Sequence, residues 1–493
     1  MNHSRYYLLA ILLLAAGLRI FDLGSESLWL DEGFTARRAH GTFMALLSEM
    51  RHETQGIAYY CAEWLWCRGF GTSEFSLRFL SVIFGILAVG AVYQFARLVF
   101  DRNAALLSAL LLAVNPFAIF YSQDARPYSL FLAATAFSLA ALLRLLKGIT
   151  RWRIAAYLFF TVLALYTQPL GPLLLPIHLL LLLVLRGDAA FPAAKPETWR
   201  IIRIGVLAAI FYIPQLLLQS NSIIEKIHGV GRASWIVKPS LIAPLYTFNT
   251  YFMQFPLGIT AAVIILAGLW IGWRRKSDRR GIYILLIVIG GFVVVPWLES
   301  LVASPVYVDR YTIPALTAVM ILIGWSLSLL GRYVRYAVLT VFLALSVYVL
   351  YPYYALADKD PWRATAEAVA EQTRMGGTVV LYAPYTKDVF NYYFRQPANV
   401  TVLAPQYGKR FPAEIDTAAS VVLVESYVKR PDTRLDSLLA RISDHHFSGG
   451  ETNITERLRR NPGAFWIADI RLRTYWKQVT EDTENSATAV DTR

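Results

Sequence analysis

Cysteine is almost missing: Cys61 and Cys67 are the two in a chain of 493 residues. That excludes a disulfide framework. A spacing of six on one helix turns them to different faces, so free thiols are expected. Histidine is scarce as well, with seven in all. The first 352 residues hold no HExxH, CxxC or histidine pair, which argues against a zinc centre, and His445-His446 reads as a surface pair. No Gly-rich nucleotide loop and no internal repeat is present. Charge is thin at 16%, against 56% hydrophobic residues. A single soluble globule is thereby excluded, and a multi-span membrane protein fits.

The missing charge is missing unevenly. Residues 353–493 hold 18 Lys+Arg and 18 Asp+Glu, whereas residues 1–352 hold 29 Lys+Arg against 16 Asp+Glu, so the net +13 belongs to the apolar part. Basic charge confined there reflects membrane orientation and gives no reason to expect a nucleic-acid partner.

Runs of about 17 to 25 apolar residues can cross a bilayer. Eleven are placed, near 5–23, 77–98, 104–121, 127–146, 152–169, 170–186, 201–220, 256–273, 281–299, 310–330 and 333–352. The first has signal-peptide features in Ala15-Ala16-Gly17, but Arg19 and Asp22 follow at once and it is taken as a retained helix. With the amino terminus inside, Arg97, Arg144, Lys147, Arg151, Arg153, Arg186 and Arg274 to Arg280 fall on the cytoplasmic side, and twelve of the 16 acids fall outside. The carboxyl terminus is then outside too.

The stretch Leu30-Asp31-Glu32-Gly33 is where such a chain would do chemistry. It follows the first apolar helix and sets two carboxylates at a membrane boundary, where ionisable groups are costly and functional. The outer loops expected are 24–76, 115–128, 221–255 and 300–310. In the first, segments around 43–47 and 59–66 mix aromatic residues with charge and read as interfacial helices. The second carries Asp124 and Arg126 between Asn115-Pro116 and Pro127, residues that either fix a turn as a local ion pair or serve the acidic site. The third, with Lys226, His228, Gly229, Gly231, Arg232 and Lys238, reads either as a mobile lid over a phosphate or as an ordinary interfacial loop. The fourth ends in Arg310-Tyr311.

Beyond residue 352 the composition is that of a soluble domain. Residues 379–382 and 420–424 read as buried strands, and 362–374 and 433–442 as helices, which together suggest a small α/β domain over 353–480. The tail 481–493 reads as disordered.

Taken together, Asp31-Glu32, Tyr59-Tyr60, Tyr121 through Tyr128, Arg310-Tyr311 with Pro314, and Asp360-Pro361-Trp362-Arg363 resemble the bacterial GT-C glycosyltransferases. These are the membrane enzymes related to protein O-mannosyltransferases, to the lipid A aminoarabinose transferase and to the rhizobial galacturonosyltransferases of lipopolysaccharide core. Where many relatives have an acid followed by His-Pro-Pro, this chain has Glu53-Thr54-Gln55-Gly56-Ile57.

The resemblance implies a polytopic α-helical membrane protein, with residues 1–352 as the GT-C domain and an extracytoplasmic α/β domain after it. It implies transfer of a hexosyl or pentosyl unit from a polyprenyl-phosphate sugar to an envelope glycolipid, glycan or protein, on the outer face of the bacterial inner membrane. Asp31 would be the general base, assisted by Glu32 or Asp124. Glu53, Tyr59, Tyr60, Arg126, Tyr128, Lys226, Arg232, Arg310 and Tyr311 would bind substrate. A lipid monophosphate leaving group requires no cofactor and no divalent metal, and whether a divalent metal binds is left open. A flippase of lipid-linked sugars is the alternative. It would need polar clusters toward the cytoplasmic face as well, and few are there.

Overall fold

The computed structural model describes residues 3–227, 236–356, 359–428, 431–455 and 468–477. The chain divides into two compact units, Met1–Gly24 with Arg38–Tyr354, and Ser25–Arg37 with Ala355–Arg493.

The first unit is helical. Helix Glu74–Val99 packs along helix Tyr128–Leu146, and helix Arg102–Val114 along helix Pro314–Leu329. Their shared core is built from Ala, Leu, Ile, Val and Phe, among them Ala88, Val92, Phe95, Leu139 and Ile321. All eleven apolar runs are helical, but the count of eleven spans is corrected. Among the described residues six helices are long and apolar enough to cross a membrane, or seven if one bent pair counts as a single span. The others fall short for visible reasons. Helix Arg151–Leu165 has 15 residues, Gly171–Val184 and Pro314–Leu329 are also short, and helix His3–Ile20 carries Arg5 and Arg19.

The bent pair, Arg102–Ala113 with Pro116–Ser122, turns by 59°. Pro116 cannot continue the first helix, and Asn115 caps the second by accepting from Ala118 N at 2.8 Å. The carbonyls freed at the break are taken up by the buried Arg19, whose guanidinium donates to Ala113 O at 2.9 Å and Leu112 O at 3.2 Å. A cation at a helix carboxyl end satisfies both the orphan carbonyls and the dipole.

The second unit is a small α/β domain. Strands β1 (Gly377–Leu381), β2 (Val400–Leu403), β3 (Ser420–Glu425), β4 (His446–Asn453) and β5 (Arg471–Lys477) form one sheet in the order β2-β1-β3-β5-β4. The three strands β2, β1 and β3 run parallel, and β5 is antiparallel to both β3 and β4. Every residue of β3 is buried, as expected of an apolar run in a covered parallel strand. Helices Trp362–Gln372 and Thr433–His445 lie where the periodicity predicts them. His445 is exposed as expected of a surface pair, but His446 is buried at the head of β4, its ring nitrogen 2.8 Å from Ala418 O.

Candidate functional site

Asp31 and Glu32 occupy the first turn of helix Leu30–His40, where the exposed amide dipoles favour carboxylates. Glu32 is fully buried, and its Oε1 lies 3.0 Å from Nζ of the buried Lys359. Its other oxygen accepts from Trp29 N at 3.3 Å, tying the turn to itself. Asp31 is partly exposed.

Residues 359–363 and 393 strap this turn to the rest of the second unit. Lys359 N donates to Glu26 Oε1 (3.3 Å), Ser27 Oγ to Asp360 O (2.5 Å), Arg363 to Ser25 O (3.0 Å) and Tyr393 OH accepts from Leu28 N (2.7 Å). The helix approaches its neighbour closely at Gly33, where a Cβ would lie 2.5 Å from Val389 Cβ. Arg37 adds a 2.7 Å bond to Asp388 on the same neighbour.

Asp360 is the centre of the strap. The fully buried carboxylate accepts from Ala468 N (2.7 Å), Trp362 Nε1 (3.3 Å), Tyr427 OH and the Leu30 amide. Burial raises its pKa, and the four donors pull against that rise. Tyr427 holds the left-handed conformation, φ 55°, unusual for an aromatic residue. Its phenol is pushed well above the usual range by burial first, then by the charges of Asp360 and Asp31.

The first unit holds a second polar cluster. The buried Arg38 donates to Glu53 Oε2 at 2.5 Å and Glu49 Oε2 at 3.3 Å, and lies 4.7 Å from the Tyr60 ring centroid. Arg126 lies 5.8 Å from the same ring, so two guanidinium groups share one aromatic face system. Tyr60 OH donates to Gln55 Oε1 at 2.8 Å, and Tyr59 OH bonds Ser81 Oγ at 2.8 Å. Burial raises the Tyr59 phenol well up, helped by the charges of Glu63 and Asp124.

A pocket of about 200 Å³ opens beside this cluster, with Glu53, Gln215, Gln219 and Tyr311 among its lining residues. Gln219 donates to the carbonyls of Glu53 (2.8 Å) and Gln55 (2.6 Å). Gly56 N bonds Thr167 O at 3.2 Å and Ala58 N bonds Tyr166 O at 2.9 Å. A Cβ on residue 56 would stand 2.0 Å from Tyr166 O. The departure from His-Pro-Pro thus has a cause in this chain: the backbone passes too close for a side chain and uses an N–H that proline lacks.

Of the site residues expected from sequence, the first unit brings Glu53, Tyr60 and Arg126 together around Arg38. Asp124 is fully buried in the turn before Tyr128, its carbonyl accepting from Arg126 N at 2.7 Å. Tyr128 is buried at the head of its helix, 4.7 Å from the Tyr121 ring. Arg310 lies 5.9 Å from the Tyr311 ring, and Tyr311 is buried at the pocket. Asp31 and Glu32 belong to the second unit. Lys226 lies in helix Ser220–Ile227 with its side chain outside the described residues, and Arg232 and the glycines of the expected lid also lie outside them. The sequence pattern does not single out Arg38, Lys359 or Tyr427, since nothing local marks them. Among the described residues no group of three or more His, Cys, Asp or Glu is placed to hold a metal ion.

A helical unit with six or seven helices long and apolar enough to cross a membrane, together with a small α/β domain, makes a multi-pass membrane protein with a GT-C-like fold. Residues 57–217 match the dolichyl-phosphate-mannose-protein mannosyltransferase family. The fold is similar to that of ArnT from Cupriavidus metallidurans in the apo state, TM-score 0.59 at 14% identity over 96% of this chain and 98% of that one. ArnT bound to undecaprenyl phosphate gives 0.58 at 13%, over 95% and 97%. The oligosaccharyltransferase AglB from Archaeoglobus fulgidus, in complex with an inhibitory peptide and a dolichol-phosphate, gives 0.53 at 15% over 84% of this chain and 62% of that one. No curated protein matches the sequence significantly.

Proposed function

We propose that the chain is an inverting glycosyltransferase that moves a monosaccharide from a polyprenyl-phosphate donor to an envelope acceptor at the outer face of the inner membrane. The observation that carries this reading is the state of the three carboxylates in the strapped turn. Glu32 and Asp360 are fully buried, and Asp31 is partly exposed. The complexes of ArnT with undecaprenyl phosphate and of AglB with a dolichol-phosphate support a lipid-phosphate donor.

In the proposed step the acceptor hydroxyl oxygen attacks the anomeric carbon as the bond from that carbon to the lipid phosphate breaks. The hydroxyl proton passes to Asp31, and the electron pair leaves on the phosphate. A positioned base contributes about 100- to 10,000-fold, and the single displacement inverts the anomeric centre through an oxocarbenium-like state. Arg126 and Arg310 are the cations proposed for the departing phosphate, with Lys226 and Arg232 as further candidates, Tyr311 as a donor and Asp124 as an assisting acid. The step draws on no cofactor.

The test compares envelope glycans and glycolipids by mass spectrometry in strains lacking the protein, complemented with wild type, or complemented with Asp31→Asn. A hexose-, pentose- or uronic-acid-sized mass that returns with wild type alone supports transfer and the base together. Full restoration by Asp31→Asn ends the base assignment. Loss of no covalent product, with polyprenyl-phosphate sugars redistributed across the membrane, replaces transfer with transport.

A further inference from the structure

Far from the acidic turn in sequence, five cations converge at one end of the helical unit. Arg97 lies near the end of helix Glu74–Val99, and Arg144 near the end of helix Tyr128–Leu146, with Lys147 immediately after it. Arg144 reaches Gln94 Oε1 at 2.7 Å, drawing the two helix ends together. Arg153, in the next helix, turns back to Gly148 O at 2.8 Å. Arg280 comes from a different helix and meets Lys147 on one aromatic ring: Phe191 has Lys147 at 5.9 Å and Arg280 at 5.6 Å from its centroid.

The charges do not cancel. Among the described residues the one acid paired with any of the five is Asp188, at 2.9 Å from Arg280. Lys147 has its pKa lowered, by partial burial first and then by Arg280, Arg153, Arg97 and Arg144, all within electrostatic reach of it. The orientation rule for membrane proteins asks for cations on one side of the bilayer. It does not ask for them to gather within reach of one ammonium group, an arrangement that raises the free energy until an anion joins it. The Nε of Arg280 is buried and makes no hydrogen bond.

The depth of the cluster says what kind of anion fits. Three of its helices are long and apolar enough to cross the membrane, and Lys147 follows the end of one. Beside it Trp152 is exposed, with Arg151 at 5.2 Å from its ring, and Trp199 is exposed as well. Exposed tryptophans on an apolar helical unit mark headgroup depth. We infer that Arg97, Arg144, Lys147, Arg153 and Arg280 form a binding site for the phosphate-bearing headgroup of an anionic lipid, where two phosphates offset more of the surplus left by five cations and one acid than a single phosphate does. Basic pockets between membrane helices hold such headgroups.

The experiment reads lipid retention by native mass spectrometry of the full chain from nanodiscs of phosphatidylcholine with or without cardiolipin. Wild type should keep cardiolipin, and Lys147→Gln should keep about five-fold less, with a further loss of similar size in Lys147→Gln/Arg153→Gln. Lys147 is mostly exposed, so its substitution removes little packing beyond the contact with Phe191. Equal retention by wild type and the double variant overturns the site. So does binding of inorganic pyrophosphate in phosphatidylcholine discs as tightly as cardiolipin, since the ligand would then be a soluble anion.

Discussion

Lys359 Nζ stands 3.0 Å from Glu32 Oε1 with both side chains withdrawn from water. The pair joins residues more than three hundred positions apart and fixes the turn that carries Asp31. Breaking a buried pair from one side leaves a buried charge without its counter-ion, at about 3 to 5 kcal/mol. Lys359→Met should therefore lower the thermal midpoint of the purified protein sharply. The double variant Glu32→Leu/Lys359→Met should recover much of the loss, because neither charge of the pair is then left buried. Tryptophan fluorescence melts of the two variants check this; equal damage in both would mean that the pair acts through packing.

Asp360 gives the second unit a pH dependence of defined sign. Its carboxyl titrates above the ordinary value because it is buried. Between the unfolded and folded pKa the folded state holds the proton that the unfolded state has lost, so this group's contribution is full below about pH 4 and declines as pH rises through the folded value. Asp416, held low by its bonds to Arg441, and Asp432, held low by bonds that outweigh its burial, act in the opposite direction. The effect is therefore read as a difference: wild type minus Asp360→Asn, in melts from pH 4 to 7, should become less favourable to wild type as pH rises.

The sequence made the acidic turn, the apolar helices and the α/β character of the second unit legible, because each rests on local pattern. Hydropathy windows found every apolar helix but overcounted spans, since a window does not see that Pro116 breaks one run or that another stops after 15 residues. What stayed hidden was pairing at long range. Nothing near Lys359 marks it as the partner of Glu32, and nothing near Arg38 marks it as the partner of Glu53. Gln55-Gly56 reads as a lapse from a family pattern, and its reason lies in the backbone at Tyr166 and Thr167, over a hundred residues away.

That reason makes Gly56 a point of intolerance. A methyl group there would meet a backbone oxygen at 2.0 Å, which no rotamer change relieves. Gly56→Ala should cost about 1 to 3 kcal/mol, and Gly56→Pro should also lose the bond to Thr167 O. Gly69, in helix Ile57–Phe70 with nothing within 4 Å of an added Cβ, is the control. Gly69→Ala should be neutral or stabilising by up to about 1 kcal/mol. Melting temperatures of the three variants decide it, and an unaffected Gly56→Ala would show that the loop at 166–167 gives way.

Arg38 ties two carboxylates and an aromatic ring with one guanidinium, and its geometry separates charge from shape. Nε faces Glu49 and a terminal nitrogen faces Glu53, so a point charge cannot serve both. Arg38→Lys should keep one ion pair and fall between wild type and Arg38→Gln, which takes the counter-ion from the Glu53 carboxylate at about 3 to 5 kcal/mol. Glu53→Gln in the Arg38→Gln background should restore part of that loss, since the more buried of the two carboxylates then carries no charge. Tyr60→Phe, which removes the hydrogen bond to Gln55 but leaves the ring under both guanidinium groups, should cost only about 1 kcal/mol. If Tyr60→Phe proves as damaging as Arg38→Gln, the hydroxyl and not the charge network holds Glu53 at the mouth of the pocket.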